Sequence, residues 1–327
     1  TGLQKVFLFY YIFFARKRKN LICCNMRDKK LLVNKMVVAL ASFFAFAMVA
    51  FPDVTEEGSK TAIIIWANSI VPVLLPFFIF SDFIKRTGDL QKLPPRVYPF
   101  IMAVLSGYPM GAKVVGDYVK EERLSLDEGR WVLSYSMVTG PAFILFTIGQ
   151  FIGSSKAAVL VTIAHYAGGI LNGLLYANKK GKPHKVQAAE FKPKGDYMEN
   201  FTYAIMGGFK SMAIILAYLI IFTIGINLLD KAGLFAAIND KTLCSCIKGF
   251  MEMTVGINQM GMCNIGIEMK TVLAAMMVSF GGMSIVGQSA SMTRKTGIGI
   301  KDIFLMKITH GMIAAIVAVI LVHFVVL

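Results

Sequence analysis

The sequence predicts an all-α polytopic membrane protein with about six transmembrane helices and two re-entrant helical hairpins arranged as an inverted repeat. Three observations lead to this prediction. Hydrophobic residues make up 56% of the 327-residue chain and charged residues only 16%, whereas soluble domains carry about a quarter charged residues. Several apolar stretches are long enough to cross a bilayer core, which takes about 20 helical residues. Two further apolar segments are interrupted at their middle by glycine and serine, and in one case proline.

The basic residues indicate which loops face the cytoplasm. The chain carries 34 Lys and Arg against 19 Asp and Glu, a net charge of +15. In a soluble protein this excess would suggest nucleic acid, but here it is concentrated beside apolar spans, in residues 1–35 and in residues 178–200. Basic flanks mark the cytoplasmic side of a membrane protein. We therefore expect a basic N-terminal segment, a cytoplasmic lysine-rich loop at 178–200, the lipid bilayer as partner and no nucleic acid.

Met26 precedes the basic residues Arg27, Lys29 and Lys30 and resembles a natural start. We expect residues 1–25 to be an artefact of the assigned start and give them no functional role.

The remaining chain divides into two predicted repeats, residues 36–177 and 201–327. Six spans are predicted, at residues 36–51, 61–84, 131–152, 157–177, 201–228 and 303–324. An acidic turn around Asp53, Glu56 and Glu57 is expected between the first two. The repeats are predicted to carry re-entrant hairpins at 97–119 and 271–292, because Gly and Pro break a helix. Broken backbone at membrane depth is tolerated only where protein or a water-filled cavity covers it.

The loop charges predict how the hairpins are oriented. With 97–119 entering from the cytoplasm and 271–292 from outside, the lysine-rich loop falls inside. Residues 120–130 and 293–302 are then expected on opposite faces. Residues 234–261 show no clear partner in the first half and are predicted to form a further, partly buried helix. Paired broken segments in corresponding halves indicate a transporter's midplane site.

The two breaks supply most of the candidate substrate-binding residues. A half-helix that starts near Pro109 would present free backbone N–H groups and its positive dipole end to an anion. Lys113 either adds charge there or extends to the cytoplasmic headgroups. Small and hydroxyl residues at the second break allow close approach and hydrogen bonds to a polar ligand. The candidates are Ser106, Gly107, Tyr108, Pro109, Gly111, Lys113, Pro141, Ser279, Gly281, Gly282, Ser284 and Gln288.

Three further ionisable side chains lie in apolar surroundings. Glu252 is a candidate for coupling to H⁺ or Na⁺, because an ionisable group within a membrane protein is usually functional. The alternative is an interfacial carboxylate paired with Lys248. His165 and His310 are predicted to be hydrogen-bonded core residues rather than a proton relay.

Signatures of catalysis and of metal binding are absent from the sequence. It contains no H-E-x-x-H, no G-x-S-x-G and no G-x-x-x-x-G-K-[ST] pattern. Cys244, Cys246 and Cys263 lack the spacing of metal ligands. We therefore expect no enzymatic activity, no cofactor and no metal.

Four motifs carry a resemblance to a known family, and they extend from about Trp66 to the C-terminus. They are Val73-Leu74-Leu75-Pro76-Phe77-Phe78, Ser106-Gly107-Tyr108-Pro109-Met110-Gly111-Ala112-Lys113, Gly140-Pro141-Ala142-Phe143-Ile144 and Ser279-Phe280-Gly281-Gly282-Met283-Ser284. They resemble the YlbJ-like sporulation integral membrane proteins, in the nucleoside-recognition Gate domain group that includes stage V sporulation protein V. The resemblance implies a fold similar to the core of concentrative nucleoside transporters. It also implies transport of dipicolinic acid during spore formation, across the mother-cell or outer forespore membrane.

Together these observations predict a transporter of a small polar, anionic aromatic solute, with dipicolinic acid first. A carrier of nucleosides or related metabolites is the alternative within transport. A non-transporting membrane scaffold or sensor, acting through the lysine-rich loop, is the alternative of another class. A homo-oligomer is compatible with each of them.

Overall fold

The computed structural model describes residues 35–87, 93–179 and 196–325, and in these residues all regular structure is helical. The predicted basic segment up to residue 34 and most of the lysine-rich loop lie outside the described residues. The described chain forms two compact units, which divide between Thr55 and Glu56. In the first, α1 runs from Lys35 to Ala50, as predicted, and is short and apolar. The Thr55 hydroxyl donates to the carbonyls of Met48 and Phe51.

A long helical segment replaces the predicted acidic turn and second span. Helix α2 (Pro52–Ile65) is followed by a π-helical turn (Trp66–Ile70) and α3 (Val71–Thr87). Asp53 and Glu56 lie in the first turns of α2, where carboxylates stabilise the positive end of a helix, so the prediction of a turn there is wrong. Pro52 starts the helix without losing a hydrogen bond, because the first N–H groups of a helix have no internal partner.

The second unit continues with eleven more helices in its described residues. They are α4 (Tyr98–Ser106), α5 (Tyr108–Lys120), α6 (Leu126–Ser136), α7 (Gly149–Ile152), α8 (Ser155–Leu175), α9 (Tyr197–Lys231), α10 (Lys241–Met251), α11 (Met253–Gly261), α12 (Ile267–Phe280), α13 (Gly282–Met292) and α14 (Ile300–Phe324). Five segments of the described chain are long and apolar enough to cross a membrane: Pro52–Ile84, Ser155–Leu175, Tyr197–Lys231, Ile267–Met292 and Ile300–Phe324. The prediction of a polytopic, all-helical membrane protein is thereby confirmed.

The predicted span at 131–152 is interrupted. Helix α6 ends at Ser136, residues 137–140 are not helical, and a π-helical turn (Phe143–Ile148) then leads into α7. Gly140 and Pro141 lie at this interruption. A proline within a helix removes one backbone hydrogen bond, and its ring clashes with the preceding turn, so the helix cannot continue through this point. This segment is therefore a broken helix rather than one continuous span.

Packing between helices shows a repeat in a different register from the predicted one. Helix α4 packs against α5, and α10 packs against α11, so each pair is a hairpin. By contrast, α12 packs on α14 and α8, whereas α13 packs on α5 and α14, which makes the segment 267–292 a broken helix with a wide bend. The order long helix, hairpin, broken helix, helix thus occurs twice: α2–α3, α4/α5, α6–α7 and α8, then α9, α10/α11, α12–α13 and α14.

The hairpin of the second half therefore lies at 241–261, not at 271–292. Arg130 Nε lies 3.2 Å from the Asp302 carboxylate, and its Nη2 donates to the Gly297 carbonyl at 3.4 Å. Residues 120–130 and 293–302 consequently lie on the same face, and the prediction of opposite faces is wrong. At the other end of the bundle, Gly261 packs tightly on the Phe151 carbonyl, so α11 ends beside α7. The hairpins α4/α5 and α10/α11 therefore enter the bundle from opposite ends, as the predicted inverted repeat requires.

Candidate functional site

The tip of the first hairpin is a single residue, Gly107, with a φ of +79° that favours glycine. It ends α4 and begins α5, whose first N–H groups receive no side-chain cap. A Cβ added at Gly107 would lie 3.8 Å from both the Thr139 hydroxyl and the Gly140 nitrogen. The tip therefore touches the break between α6 and α7. The flanking Ser106 and Tyr108 are buried.

The tip of the second hairpin is Glu252, which is 5% exposed and lies between α10 and α11. Its carboxylate caps α11 by accepting the Val255 N–H at 2.9 Å. The hydroxyls of Thr254 and Ser284 donate to the same carboxylate at 3.3 and 3.4 Å. Thus one buried carboxylate collects three donors, one of them from α13.

The alternative role of Glu252 as the partner of Lys248 is not what the structure shows. Lys248 Nζ lies 3.1 Å from the Asp230 carboxylate on α9 instead. The second tip also lies against the second break, because a Cβ added at Gly282 would come within 3.2 Å of the Glu252 Cα. Each hairpin tip therefore lies at one interrupted helix, and the two arrangements correspond.

Both tips line one small cavity of about 50 Å³. This central cavity has room for a few water molecules but not for an aromatic ring. Its polar lining comes from both halves, and apolar side chains of α3 and α9 complete the wall. Among the described residues, Ser106 Oγ and Gln288 Oε1 are buried without a hydrogen-bond partner. The polar lining residues are Ser106, Tyr108, Thr139, Glu252, Thr254 and Gln288.

A larger cavity of about 380 Å³ adjoins the central one, and Phe78 and Ser106 line both. We call it the basic cavity, because Arg86, Lys113 and Lys210 line it. It opens where α3 and α13 end, on the face that carries the Arg130–Asp302 pair and that the basic loops predict to be cytoplasmic. Lys113 thus contributes to this basic cavity and not to the central one.

A fully buried lysine, Lys307, stabilises the break between α6 and α7. Lys307 on α14 donates to the Met137 carbonyl at 2.9 Å and lies 4.3 Å from the centre of the Tyr108 ring. The Tyr108 hydroxyl in turn donates to the Val278 carbonyl of α12. The Met137 carbonyl follows the end of α6 and has no helical partner, so a buried donor from elsewhere must satisfy it.

The two buried histidines connect the broken helices, as the prediction of core residues requires. His165 Nε2 accepts the Thr139 N–H at 3.0 Å, so Nδ1 carries the proton in the neutral ring and faces Ser279 Oγ at 2.8 Å. His310 Nε2 lies 2.9 Å from the His165 carbonyl. These bonds use both ring nitrogens of His165 and the Nε2 of His310, so both histidines have a structural role in this conformation.

The structure brings some predicted site residues together and leaves others outside the cavity. Ser106, Gly107, Tyr108, Glu252 and Gln288 line the central cavity. Apart from Lys113, the other candidates lie around this cavity: Ser284 donates to Glu252, and Ser279 Oγ lies 2.8 Å from His165 Nδ1. Gly281 and Gly282 form the bend between α12 and α13, with φ of +82° and +78°. Gly111 packs on the Ser136 carbonyl, Pro141 follows the first break, and Pro109 lies in the first turn of α5.

Sequence reasoning missed the basic cavity. Lys210 lies within the 35-residue apolar helix α9, and Asp82 and Arg86 lie near the end of α3. An ionisable residue inside an apolar helix is itself a signal for a functional site, and applying it to Lys210 would have pointed there.

Comparison with known proteins agrees with this arrangement. The chain is 23% identical over 336 aligned residues to the sporulation integral membrane protein YlbJ of Bacillus subtilis (strain 168), and the match covers 86% of this chain and 82% of that protein. No protein-family model matches the chain, and no solved structure matches it significantly. The resemblance to the YlbJ-like sporulation integral membrane proteins that the motifs suggested is confirmed, and the apolar helices make the chain a multi-pass membrane protein.

Proposed function

We propose that this protein is a carrier, not an enzyme, and that it moves a small polar, anionic aromatic solute across a membrane during spore formation. The observation that carries the proposal is the meeting of two opposed hairpin tips and two broken helices around one cavity that polar side chains of both halves line. Non-helical backbone at membrane depth is stable only where it is buried in protein or lines a water-filled cavity, and repeats of this kind surround the substrate site in transporters. A scaffold would need neither feature.

Dipicolinate is the proposed solute. It carries two carboxylates on an aromatic ring, which suits a route that begins in a cavity lined by Arg86, Lys113 and Lys210. The name of the Bacillus relative is consistent with a role in sporulation, which would place the protein in the mother-cell or outer forespore membrane. The 50 Å³ central cavity must widen to admit the ring, so this conformation represents a closed stage of the cycle.

Glu252 is the proposed coupling residue for H⁺ or Na⁺. Its carboxylate faces the central cavity and is held by donors from α11 and α13. A buried carboxylate beside a bound dianion is unfavourable unless a cation or proton accompanies it. Transport of dipicolinate would therefore carry a neutralising cation past Glu252.

The experiment is a flux measurement in liposomes that contain the full chain and trapped terbium ions. Entry of external dipicolinate produces sensitised terbium luminescence, which we expect for the wild type and expect to lose in Glu252→Gln. Glu268→Gln is the matched control, because that side chain is exposed at the start of α12. In cells, deletion of the gene is expected to lower spore dipicolinate, and normal content would rule out this cargo.

A nucleoside carrier is the second candidate. No basic side chain lines the central cavity, whose described polar groups are hydroxyls, one amide and one carboxylate. Such groups hydrogen-bond an uncharged sugar and base well. Uptake of radiolabelled uridine into the same liposomes, without entry of dipicolinate, would favour this candidate, and absence of both fluxes would favour a scaffold.

A further inference from the structure

The basic cavity has features of a binding site in its own right. At about 380 Å³ it is within the usual size range of ligand pockets, whereas the central cavity is not. Its walls come from elements that belong to different parts of the repeat: α3, α9, the first hairpin and the end of α13. Gly207 and Gly208 of α9 let α3 pack closely there, because an added Cβ would lie 2.7 Å from Asp82 Oδ2 and 2.9 Å from Ile79 Cγ1.

Its charges are unbalanced. Arg86 pairs with Asp82 at 2.9 Å, and its guanidinium lies 5.4 Å from the centre of the Tyr203 ring. Lys113 and Lys210 are exposed to the cavity, and within the described chain neither forms an ion pair. Two ammonium groups thus remain available after the carboxylate in the lining has been matched.

The two free lysines lie on separate elements, Lys113 on α5 of the hairpin and Lys210 on α9. We propose that the basic cavity is a recruiting site for a small dicarboxylate, with Lys113 binding one carboxylate and Lys210 the other. The proposal rests on the proposed function for the identity of the solute. Through the wall formed by Phe78 and Ser106 the site borders the central cavity, so it is the position that a solute occupies before entry.

The charge pattern excludes a cationic ligand and favours a dianion over a monoanion, because each ammonium interacts with one carboxylate. Anionic lipid headgroups share this chemistry. The cavity opens at the predicted cytoplasmic face, and the polar side chain of Ser106 lies at its inner end. These features favour a soluble dicarboxylate over a lipid headgroup, and the experiment distinguishes the two.

The test is calorimetric titration of the full chain in nanodiscs of zwitterionic lipid with dipicolinate and with pyridine-2,6-dicarboxamide, its uncharged analogue. We expect dipicolinate to bind and the dicarboxamide not to bind. Lys113→Gln and Lys210→Gln are each expected to weaken binding about three- to fivefold and the double variant about tenfold or more, as for partly exposed ion pairs. Lys231→Gln, an exposed lysine at the far end of α9, is the control and is expected to bind as the wild type.

Equal binding by the double variant and the wild type would overturn the proposal, as would equal binding of the dicarboxamide. Loss of dipicolinate binding in nanodiscs that contain anionic lipid would assign the site to headgroups and overturn it too. The terbium flux assay keeps this result separate from the proposed function. Lysine-dependent binding without flux would contradict transport only, and flux that is insensitive to both lysines would contradict the recruiting site only.

Discussion

Replacing Gly111 by alanine tests whether close packing of the first hairpin holds the break in place. An added Cβ would overlap the carbonyl oxygen of Ser136 and lie 2.9 Å from the Ala103 Cβ. In an open helix interior the same substitution stabilises by about 0.5–1 kcal/mol. Here the obstacle is backbone, which cannot rotate away, and overpacking of this kind costs about 1–3 kcal/mol. We therefore expect net destabilisation, together with displacement of the chain at residues 137–140.

Two further glycines provide the comparison. Gly256 lies four residues after Glu252, as Gly111 does after Gly107, and a Cβ there would overlap the backbone of Gly249. Gly287 of α13 has room, because the nearest atom to an added Cβ is Tyr218 Cε1 at 3.4 Å. Gly256→Ala should resemble Gly111→Ala, and Gly287→Ala should be neutral or stabilising.

The assay is thermal unfolding of each variant in nanodiscs, followed by intrinsic fluorescence, with terbium flux measured in parallel. Each kcal/mol corresponds to a shift of about 2–4 °C for domains of 150–250 residues. We expect the midpoints to fall in Gly111→Ala and Gly256→Ala, with loss of flux, and not in Gly287→Ala. A Gly111→Ala midpoint at or above that of the wild type would refute the packing argument.

Two other predictions concern topology and the buried histidines. Cysteines introduced at the exposed positions Glu122 and Lys295 should react with an impermeant thiol reagent from one side of the membrane, and a cysteine at Lys156 should react from the other side. Labelling of positions 122 and 295 from opposite sides would contradict the repeat described above. His165→Phe keeps a ring but leaves the Thr139 N–H and the Ser279 hydroxyl without their partner. We expect the free energy of unfolding to fall by about 1–3 kcal/mol for each group left unsatisfied. An unchanged unfolding midpoint in that variant would contradict the structural role of His165.

The breaks themselves could be predicted from sequence, because they depend on local chemistry. Gly107 and Gly281 have positive φ, which other residues rarely adopt, and each stands in an otherwise apolar run. The spans that become α8, α9 and α14 were also recognisable, since continuous hydrophobicity over a bilayer's thickness is itself the signal. Five of the predicted site residues line the central cavity for the same reason: the tips of broken helices carry them.

The position of the second hairpin could not be predicted, because its stability comes from distant partners. Lys248 and Glu252 lower the hydropathy of residues 241–261 below that of a membrane segment. In the fold, Asp230 neutralises Lys248, and donors on α11 and α13 satisfy Glu252. Only tertiary structure shows that these polar groups are matched, so the sequence suggested a partly buried helix and placed the hairpin one segment too late.

The equivalence of the two halves bears on how a solute would leave. His165 and His310 each lie ten residues after the first residue of their helix, and their ring centres are 4.9 Å apart, so equivalent positions of α8 and α14 meet. If each half adopted the conformation that the other half now has, the basic cavity would close and an equivalent cavity beside the second hairpin would open on the other face. Six residues after each tip, the first hairpin has Lys113 and the second has Asn258. Because an uncharged side chain replaces an ammonium group, that counterpart would hold a dianion less tightly, which favours binding from the basic face and release on the opposite one.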